Sequence, residues 1–286
     1  MPYALLNIVK LETGHLSIES DVLTLETGNR NLELEAIAQK VYYFKNGGSW
    51  RGAPDARNWF REHARDYDLV QFHGLWNGFT LDLFWQAHSL KLSFNVWPHC
   101  SLDYHDLRKK KVLKLLLGWF FLRVVLRNAR FVLTSELEAS NSRFFVTTPK
   151  TTVLPLPIPN GCVAAESSDK RPFEKKPESF YFLYLSRFDP KKGLQDLLPA
   201  FRELVKEYPR VKLILAGADG SAFSQKMIAS VESEIGAGTV INVGFLDDQA
   251  KSYVFKNTDC YVLPSYYENF GISIIEALQH GLPAMI

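Results

Sequence analysis

Short apolar stretches alternate with longer amphipathic stretches along most of this chain. In the C-terminal half the apolar stretches predict strands near Phe180–Leu185, Val211–Ala216, Thr239–Val243 and Cys260–Leu263. The stretches of helical periodicity between them predict helices near Leu194–Glu207, Phe223–Ile235, Gln249–Lys256 and Gly271–Gln279. Because alternating strands and helices build parallel sheets covered by helices, this half is predicted to be an α/β domain.

The N-terminal half repeats the alternation. Its predicted strands are Lys40–Phe44, Leu69–His73, Ser93–Trp97 and Phe131–Thr134, and its predicted helices are Asp55–Arg65, Asn77–His88 and Leu107–Arg127. The fold class is therefore α/β with two doubly wound, Rossmann-like parallel-sheet domains. We place an N-terminal domain at residues 1–165 and a C-terminal domain at residues 166–286.

Residues 155–179 separate the two halves and are rich in Pro, Ser and charged residues. This composition is typical of an interdomain connector. We expect a hinge here that lets the two domains close over a ligand and exclude water.

The composition is that of a globular protein and argues against several classes of protein. Of 286 residues, 47% are hydrophobic and 22% are charged, and the formal net charge of +2 gives no overall field to attract nucleic acid. The three cysteines, Cys100, Cys162 and Cys260, lack the spacing of a disulfide framework or a zinc site. With no secretory signal at the start of the chain, a reducing cytoplasm is the expected setting.

Chemistry is concentrated near the C-terminus, where Glu268 and Glu276 flank an Asn-Phe-Gly-Ile turn that opens an apolar-periodic helix. The first N–H groups of a helix favour a phosphate or a polar sugar edge, and Gly271 allows a ligand to approach closely. Glu276, about two turns into the helix, could accept hydrogen bonds from two vicinal hydroxyls. The alternative is a surface helix with two solvated acids.

A second cluster follows the predicted strand Phe180–Leu185, where a turn carries Arg187, Lys191, Lys192 and Gly193. In open α/β sheets ligands bind at the carboxyl ends of strands. Arg187 could contact two phosphate oxygens at once and Lys192 could add a point charge, as a pyrophosphate leaving group requires. A solvated basic turn is the alternative.

Taken together, residues 180–286 resemble the donor-binding half of a retaining glycosyltransferase of the GT-B fold, family GT4. The matching segments are SRFDPKKG, VKLILAGADG, VGFLDD and DCYVLPSYYENFG, with Glu268 and Glu276 as the E-x7-E pair.

The resemblance implies roles for these positions. Arg187 and Lys192 would hold the donor diphosphate, Glu276 the ribose hydroxyls, and Glu268 the transferred sugar as a catalytic residue. The remaining donor-binding positions are Gly193, Gly244, Phe245, Leu246, Asn269, Phe270, Gly271 and Ile272.

Two N-terminal segments, QFHGLWNG and NVWPHCSLDY, also resemble signatures of this family. His73 and Gly74 in the first would serve the acceptor, and His99 in the second would be an acceptor-side or catalytic group. Cys100 stands where the family usually has glycine, so we expect its backbone to avoid the positive φ that glycine tolerates. The alternative for each histidine is a hydrogen-bonded structural role at a strand end.

The predicted helix over residues 109–127 combines a lysine run with Trp119, Phe120 and Phe121. Its apolar core is shorter than the about 20 residues that span a bilayer, so it should not cross a membrane. It could lie at the cytoplasmic membrane surface, near a lipid-linked acceptor. The alternative is a mostly buried helix with a basic first turn.

The resulting prediction is sugar transfer from a UDP- or GDP-type donor to a glycan or lipid-linked acceptor, in polysaccharide or glycolipid biosynthesis. Retention is implied by the resemblance. No cofactor or metal is expected, because the only D-x-D pair, Asp66 and Asp68, lies before a strand and is predicted to be a helix-exit turn.

Compared with the family, both ends of the chain are predicted to be truncated. An inactive nucleotide-binding relic therefore stays an alternative, as does a sugar-nucleotide epimerase. A nicotinamide dehydrogenase is disfavoured because no G-x-G-x-x-G follows a strand.

Overall fold

A computed structural model shows the chain as two α/β units, Met1–Pro157 and Ile158–Ile286, which are described separately here. The structure describes residues 2–26, 28, 30–47, 52–103, 107, 111–158, 171–217, 222–268 and 270–286. The predicted boundary at residues 165/166 and residues 159–170 of the predicted connector lie outside these ranges.

The C-terminal unit alternates strands and helices as predicted. Its elements are β7 (Phe180–Leu185), α8 (Leu194–Glu207), β8 (Val211–Ala216), α9 (Ala222–Ile235), β9 (Val240–Gly244), α10 (Asp248–Asn257), β10 (Cys260–Val262), α11 (Ile272–Gln279) and β11 (Ala284–Met285). Among the described residues the strands form one parallel sheet in the order β11-β10-β7-β8-β9. All the predicted elements of this half are confirmed, with β7, β8 and α8 at the predicted bounds.

The core of this unit lies on both sides of its sheet. Consecutive residues of β8, Leu213, Ile214 and Leu215, are fully buried. Such an uninterrupted apolar run is typical of a parallel strand with helices over both faces. Leu198 of α8 and Val254 of α10 are also fully buried in this core. The packing fixes the strand ends, and with them the loops that carry the candidate site.

The N-terminal unit has more elements than the sequence predicted. They are α1 (Pro2–His15), β1 (Asp21–Leu25), α2 (Leu32–Ile37), β2 (Lys40–Phe44), α3 (Pro54–His63), β3 (Val70–His73), α4 (Gly78–Ser89), β4 (Phe94–Trp97), α5 (Lys111–Leu117), α6 (Arg123–Val125), β5 (Ala129–Leu133), α7 (Glu136–Asn141) and β6 (Lys150–Val153). Within the described part of the chain, its strands form a parallel pair β1-β2 and a parallel sheet β3-β4-β5-β6.

Aromatic packing fixes the larger sheet of this unit. The ring of Phe72 on β3 meets Phe84 on α4 and Phe94 on β4 edge-on, with centroids 4.8 and 5.2 Å apart. Edge-to-face geometry is favoured by the ring quadrupole and adds to the burial of apolar area. The carboxyl ends of β3, which closes with His73, and of β4, which His99 follows, are therefore held in register.

Five elements of this unit escaped prediction: α1, β1, α2, α7 and β6. The strand β6 is largely exposed and carries Lys-Thr-Thr-Val, so no apolar alternation marks it. The helix α2 is only six residues long, although the side chain of Asn31 caps it by accepting a hydrogen bond from the Leu34 N–H. Short or edge elements take their stability from neighbours more than from local pattern.

Within the predicted helix Leu107–Arg127 the described chain is helical from Lys111 to Val125, so a helix is confirmed there, but it is not α-helical throughout. A π-helical turn, Gly118–Leu122, separates α5 from α6. A Cβ at Gly118 would lie 2.2 Å from the ring of Phe145, so the helix can approach this ring only with glycine. Residues 108–110, which carry most of the basic run, lie outside the described residues.

The alternative of a mostly buried helix in this region is wrong. Seven large apolar side chains on α5, the π-helical turn and α6 are exposed: Val112, Leu113, Leu115, Leu116, Trp119, Phe120 and Val124. Phe120 is 79% exposed, whereas Leu122 in the same turn is fully buried. The helix thus presents an apolar face to solvent.

Candidate functional site

The predicted donor-binding residues of the C-terminal unit lie where its strands end. Arg187 follows β7, Phe245 follows β9, and Glu268 lies in the loop between β10 and α11. Because these strands are parallel neighbours, their carboxyl ends share one edge of the sheet. Sequence reasoning placed the residues at this edge correctly.

The turn after β7 is built by local hydrogen bonds and a glycine. The Asp189 carboxylate accepts a 2.9 Å hydrogen bond from the Lys191 N–H and opens a short 3-10 helix, Pro190–Lys192. Gly193 follows with φ +71°, and a Cβ there would lie 1.8 Å from the carbonyl oxygen of Pro264. Only glycine combines this conformation with such close approach of two loops.

Lys192 and Glu268 form an ion pair. The lysine Nζ lies 2.5 Å from the glutamate Oε2, and the two side chains are 16% and 29% exposed. Their loops are also joined through the Lys191 carbonyl, which accepts hydrogen bonds from the Tyr266 N–H at 3.0 Å and the Ser265 hydroxyl at 3.1 Å. The basic turn and the acidic loop therefore form one structure.

Glu276 lies on α11 and is 8% exposed. Its Oε1 is 2.7 Å from Nζ of Lys251 on α10. Lys251 was not predicted as a site residue. In the sequence Lys251 is a lysine one turn into a helix that begins with two acidic residues. This pattern is too common to mark a site residue.

Tyr261 joins the end of β7 to α11. Its hydroxyl donates to the Leu185 carbonyl at 3.1 Å and lies 2.8 Å from the Ser273 hydroxyl. Burial raises the pKa of Tyr261, and the nearby carboxylates of Glu268 and Glu276 raise it further. Both acids therefore act on one buried phenol.

The remaining predicted donor residues are distributed around this centre. The Arg187 side chain is exposed and makes no ion pair with a described residue, so it is not joined to the Lys192–Glu268 pair. Phe245 is 82% exposed after Gly244, whereas Leu246 is buried. Gly271 caps α11 and precedes Ile272. Phe270 also lies in the described loop, and Asn269 lies outside the described residues.

In the N-terminal unit the structure brings the two predicted histidines together. Nδ1 of His73, at the end of β3, lies 3.0 Å from Nε2 of His99, and the rings stack with centroids 5.3 Å apart. Burial, and secondarily the charge of His99, lower the pKa of His73 to about 3. Burial lowers the pKa of His99 to about 4, against the opposing effect of the Glu138 carboxylate. Both imidazoles are therefore neutral near pH 7.

The expectation for Cys100 is wrong. His99 and Cys100 both adopt positive φ, at +49° and +64°. Left-handed backbone costs an L-residue about 1–2 kcal/mol. The physical reason for the error is a contact from outside the segment: the Cys100 N–H donates a 2.6 Å hydrogen bond to the carboxylate of Glu138.

Other contacts hold the same loop. The Trp76 indole N–H donates to the Ser101 carbonyl at 2.7 Å, and the Arg143 N–H donates to the Leu102 carbonyl at 2.8 Å. Gly74, predicted for the acceptor side, donates its N–H to the Trp97 carbonyl at 2.8 Å. The loop after β4 is thus joined to the loop after β3 and to the end of α7.

Glu138 is the residue of this edge that sequence reasoning missed. Ser135 and Glu138 have the S-x-x-E spacing of a helix capping box, which could have identified the start of α7. Ser135 does cap the helix, since its side chain accepts from the Glu138 N–H. The spacing gives no sign that the glutamate also reaches Cys100.

The described ranges of the chain contain neither a metal-binding cluster nor a membrane-spanning helix. Within these ranges no three His, Cys, Asp or Glu side chains are grouped so as to hold a metal ion. The same part of the chain contains no helix long and apolar enough to cross a membrane. Asp66 ends a 3-10 turn, Ala64–Asp66, that follows α3, as predicted.

Comparison with known proteins gives a family match within the C-terminal unit. Residues 166–286 match the family Glycosyl transferases group 1. This group 1 domain contains Arg187, Lys192, Glu268 and Glu276.

Curated relatives match part of the chain. The chain is 32% identical over 106 residues to the O-antigen chain mannosyltransferase B of Escherichia coli, covering 37% of this chain and 28% of that protein. It is 31% identical over 127 residues to the phosphatidyl-myo-inositol mannosyltransferase of Mycolicibacterium smegmatis, covering 43% of this chain and 32% of that protein. The chain thus spans about a third of the length of these curated relatives.

Solved structures extend the likeness to almost the whole chain. The Anabaena protein HepE, crystallised with UDP and glucose, has a TM-score of 0.67 at 19% identity, covering 98% of this chain and 76% of that one. A sucrose-phosphate synthase from Thermosynechococcus elongatus has a TM-score of 0.66 at 18% identity, covering 97% and 73%. These likenesses confirm the predicted fold class, α/β with parallel sheets in the GT-B architecture.

Proposed function

We propose that this protein is a glycosyltransferase that moves a sugar from a nucleotide-diphosphate donor to an acceptor hydroxyl with retention of configuration. The observation that carries the proposal is the cluster at the carboxyl edge of the group 1 domain, where Lys192, Glu268 and Glu276 surround the ends of β7 and β10. Mannosyltransferases among the relatives and the UDP complex of HepE support this substrate class.

The proposed chemistry follows from charge. As the glycosidic bond breaks, negative charge develops on the diphosphate and positive charge on the sugar ring, so cations already in place lower the barrier. Lys192 and the exposed Arg187 would bind the diphosphate, with help from the first N–H groups of α11. Neither role needs a metal, and metal independence stays a prediction.

The two acids would bind the sugars of the donor. Glu276 would accept hydrogen bonds from the ribose hydroxyls, and Glu268 would contact the transferred sugar as a catalytic residue. Phe245 with Gly244 and Leu246 would lie beside the base. Gly193 and residues 269–272 would line the pocket.

His99 and His73 would serve the acceptor in the N-terminal unit. A neutral imidazole can accept a proton or a hydrogen bond from a hydroxyl, which a protonated one cannot. The lowered pKa values of both rings keep them in this form at neutral pH.

The test is incubation of the purified chain with labelled UDP- and GDP-sugars, with and without candidate glycan and glycolipid acceptors. Nucleotide release that depends on the acceptor, with the anomeric configuration kept in the NMR spectrum of the product, supports the proposal. Conversion of the donor sugar alone would indicate an epimerase. Binding without turnover would indicate a nucleotide-binding relic.

We further propose that the exposed apolar face of α5, the π-helical turn and α6 contacts a membrane that carries a lipid-linked acceptor. Trp119 and Phe120 are 59% and 79% exposed, and the Arg123 guanidinium lies 5.2 Å from the centre of the Trp119 ring. Aromatic side chains beside cations suit the interface of an anionic bilayer.

Vesicle flotation tests this contact. The wild type should float with anionic vesicles, and Trp119→Ser/Phe120→Ser should stay in the dense fraction. Leu137→Ser is a matched control, because Leu137 is also exposed, at 48%, but lies on α7. Equal flotation of all three proteins would contradict the proposal.

A further inference from the structure

The loop after β4 holds two consecutive non-glycine residues in the left-handed region. His99 and Cys100 have φ +49° and +64°. Such residues persist only where the surrounding structure imposes the conformation. The loop therefore needs partners that would be lost if the backbone relaxed.

Glu138 supplies such a partner from inside the unit. Its side chain belongs to a residue only 1% exposed. One carboxylate oxygen accepts the Cys100 N–H at 2.6 Å, and the other accepts the Thr134 N–H at 2.7 Å and the Thr134 hydroxyl at 2.8 Å. One buried carboxylate thus connects the loops that follow two neighbouring strands, β4 and β5.

A capping role alone does not account for these contacts. In a capping box the glutamate accepts the N–H of its own cap residue, which here would be Ser135. The Glu138 carboxylate is hydrogen-bonded to the residue before the cap and to a residue 38 positions earlier in the chain, and a capping box includes neither contact. These contacts hold the loop after β4 as well as the start of α7.

We propose that Glu138 is a positioning residue that holds the His99–Cys100 backbone in its left-handed conformation and thereby keeps the His99 ring against His73. The activity consequences rest on the proposed function, in which His99 serves the acceptor. A carboxylate suits this position because it only accepts hydrogen bonds, whereas an amide would direct its NH2 group at a backbone N–H.

The first experiment compares Glu138→Gln with Glu136→Gln. Glu136 is an exposed acid on the same helix and provides the matched control. In Glu138→Gln we expect kcat to fall at least 10-fold while the KM for the donor stays within 2-fold, since donor binding is assigned to the other unit. In Glu136→Gln both values should stay at wild type. Unchanged kcat in Glu138→Gln would overturn the proposal.

A rescue separates positioning from general stability. Glycine tolerates positive φ, so Cys100→Gly should reduce the need for the Glu138 contact. The double variant Glu138→Gln/Cys100→Gly should recover at least half of the lost activity. If Glu138 only stabilised α7, the glycine would leave the defect unchanged.

An NMR measurement needs no enzymatic activity. The Cys100 amide proton, in a short hydrogen bond to a carboxylate, should resonate downfield in the wild type and in Glu136→Gln, and should move upfield in Glu138→Gln. A wild type that shows this resonance but no turnover would contradict the proposed function and leave the positioning role standing. A Cys100 resonance that does not differ between the three proteins would contradict the positioning role itself.

Discussion

The carboxyl edges of the two units hold their functional side chains in different ways. In the C-terminal unit, oppositely charged side chains pair with each other, Lys192 with Glu268 and Lys251 with Glu276. In the N-terminal unit, two neutral imidazoles stack and a buried carboxylate accepts hydrogen bonds from the backbone. The first arrangement can exchange a partner for a charged ligand, whereas the second fixes the shape of a loop.

The difference follows from what each edge is proposed to bind. An ion pair that is 16% and 29% exposed is only partly desolvated, so a diphosphate can compete for the lysine at modest cost. A carboxylate in a residue 1% exposed would leave unsatisfied donors behind if it moved. We therefore expect substitutions of the paired charges at the first edge to change catalysis directly, and substitutions at the second edge to act through the geometry or stability of its loop.

The largest effect should come from Gly193, whose substitution disturbs the contact between the two donor-side loops. Gly193→Ala adds a Cβ 1.8 Å from the Pro264 carbonyl at φ +71°, and should lower the free energy of unfolding by about 3 kcal/mol or more. Gly238→Ala is the matched control, because its φ is +75° but the space around it is open. Chemical denaturation measures both, and equal losses would show that backbone conformation alone, rather than the contact, requires the glycine.

Lys192→Ala should slow transfer roughly 10- to 100-fold, because a charge-assisted contact contributes about 1.5–3 kcal/mol. Lys206 forms another ion pair, with Glu203, and its side chain is 65% exposed. Lys206→Ala should therefore leave turnover unchanged. Initial rates with saturating donor distinguish the two variants. Wild-type turnover in Lys192→Ala would refute its role at the diphosphate.

Acidification should weaken the N-terminal unit through its histidines. The folded pKa values, about 3 for His73 and about 4 for His99, lie below the ordinary value of about 6.5. Between about pH 4 and 6.5 the unfolded chain therefore binds protons that the folded chain does not, so stability falls as the pH falls.

From pH 7 to pH 5 we expect the free energy of unfolding of this unit to fall by about 2 kcal/mol. The loss is smaller than two fully buried histidines would give, because the two rings are partly exposed and share one hydrogen bond. Urea unfolding at both pH values measures the loss. The double variant His73→Gln/His99→Gln should show a smaller pH dependence than the wild type. An equal dependence in both proteins would assign the effect to other groups.

The smallest expected effect is that of metal removal. If Lys192 and Arg187 neutralise the leaving group, transfer rates in excess EDTA should stay within 2-fold of those with added Mg²⁺. Restoration of activity by Mg²⁺ after chelation would mean that cationic side chains do not suffice at this edge.

Sequence reasoning succeeded best where local pattern and tertiary packing agree. β8 and α8 were predicted at their observed bounds because a short, nearly continuous apolar run and a 14-residue stretch of helical periodicity are both strong local signals. The strand β6 and the helix α2 were missed because each is short and partly exposed. Gly118 of the π-helical turn lies close to the ring of Phe145, which is distant along the chain, so no local pattern marks this contact.

The sequence by itself determined the order of strands and helices in the C-terminal unit and the residues that follow each strand. Both features depend only on the spacing of apolar and polar residues along the chain. Only the tertiary structure decided the partners: Lys192 pairs with an acid 76 residues later, and Glu138 holds a backbone N–H 38 residues earlier. Such contacts depend on how the sheets bring strand ends together, and no local pattern specifies which side chains then come within hydrogen-bonding distance.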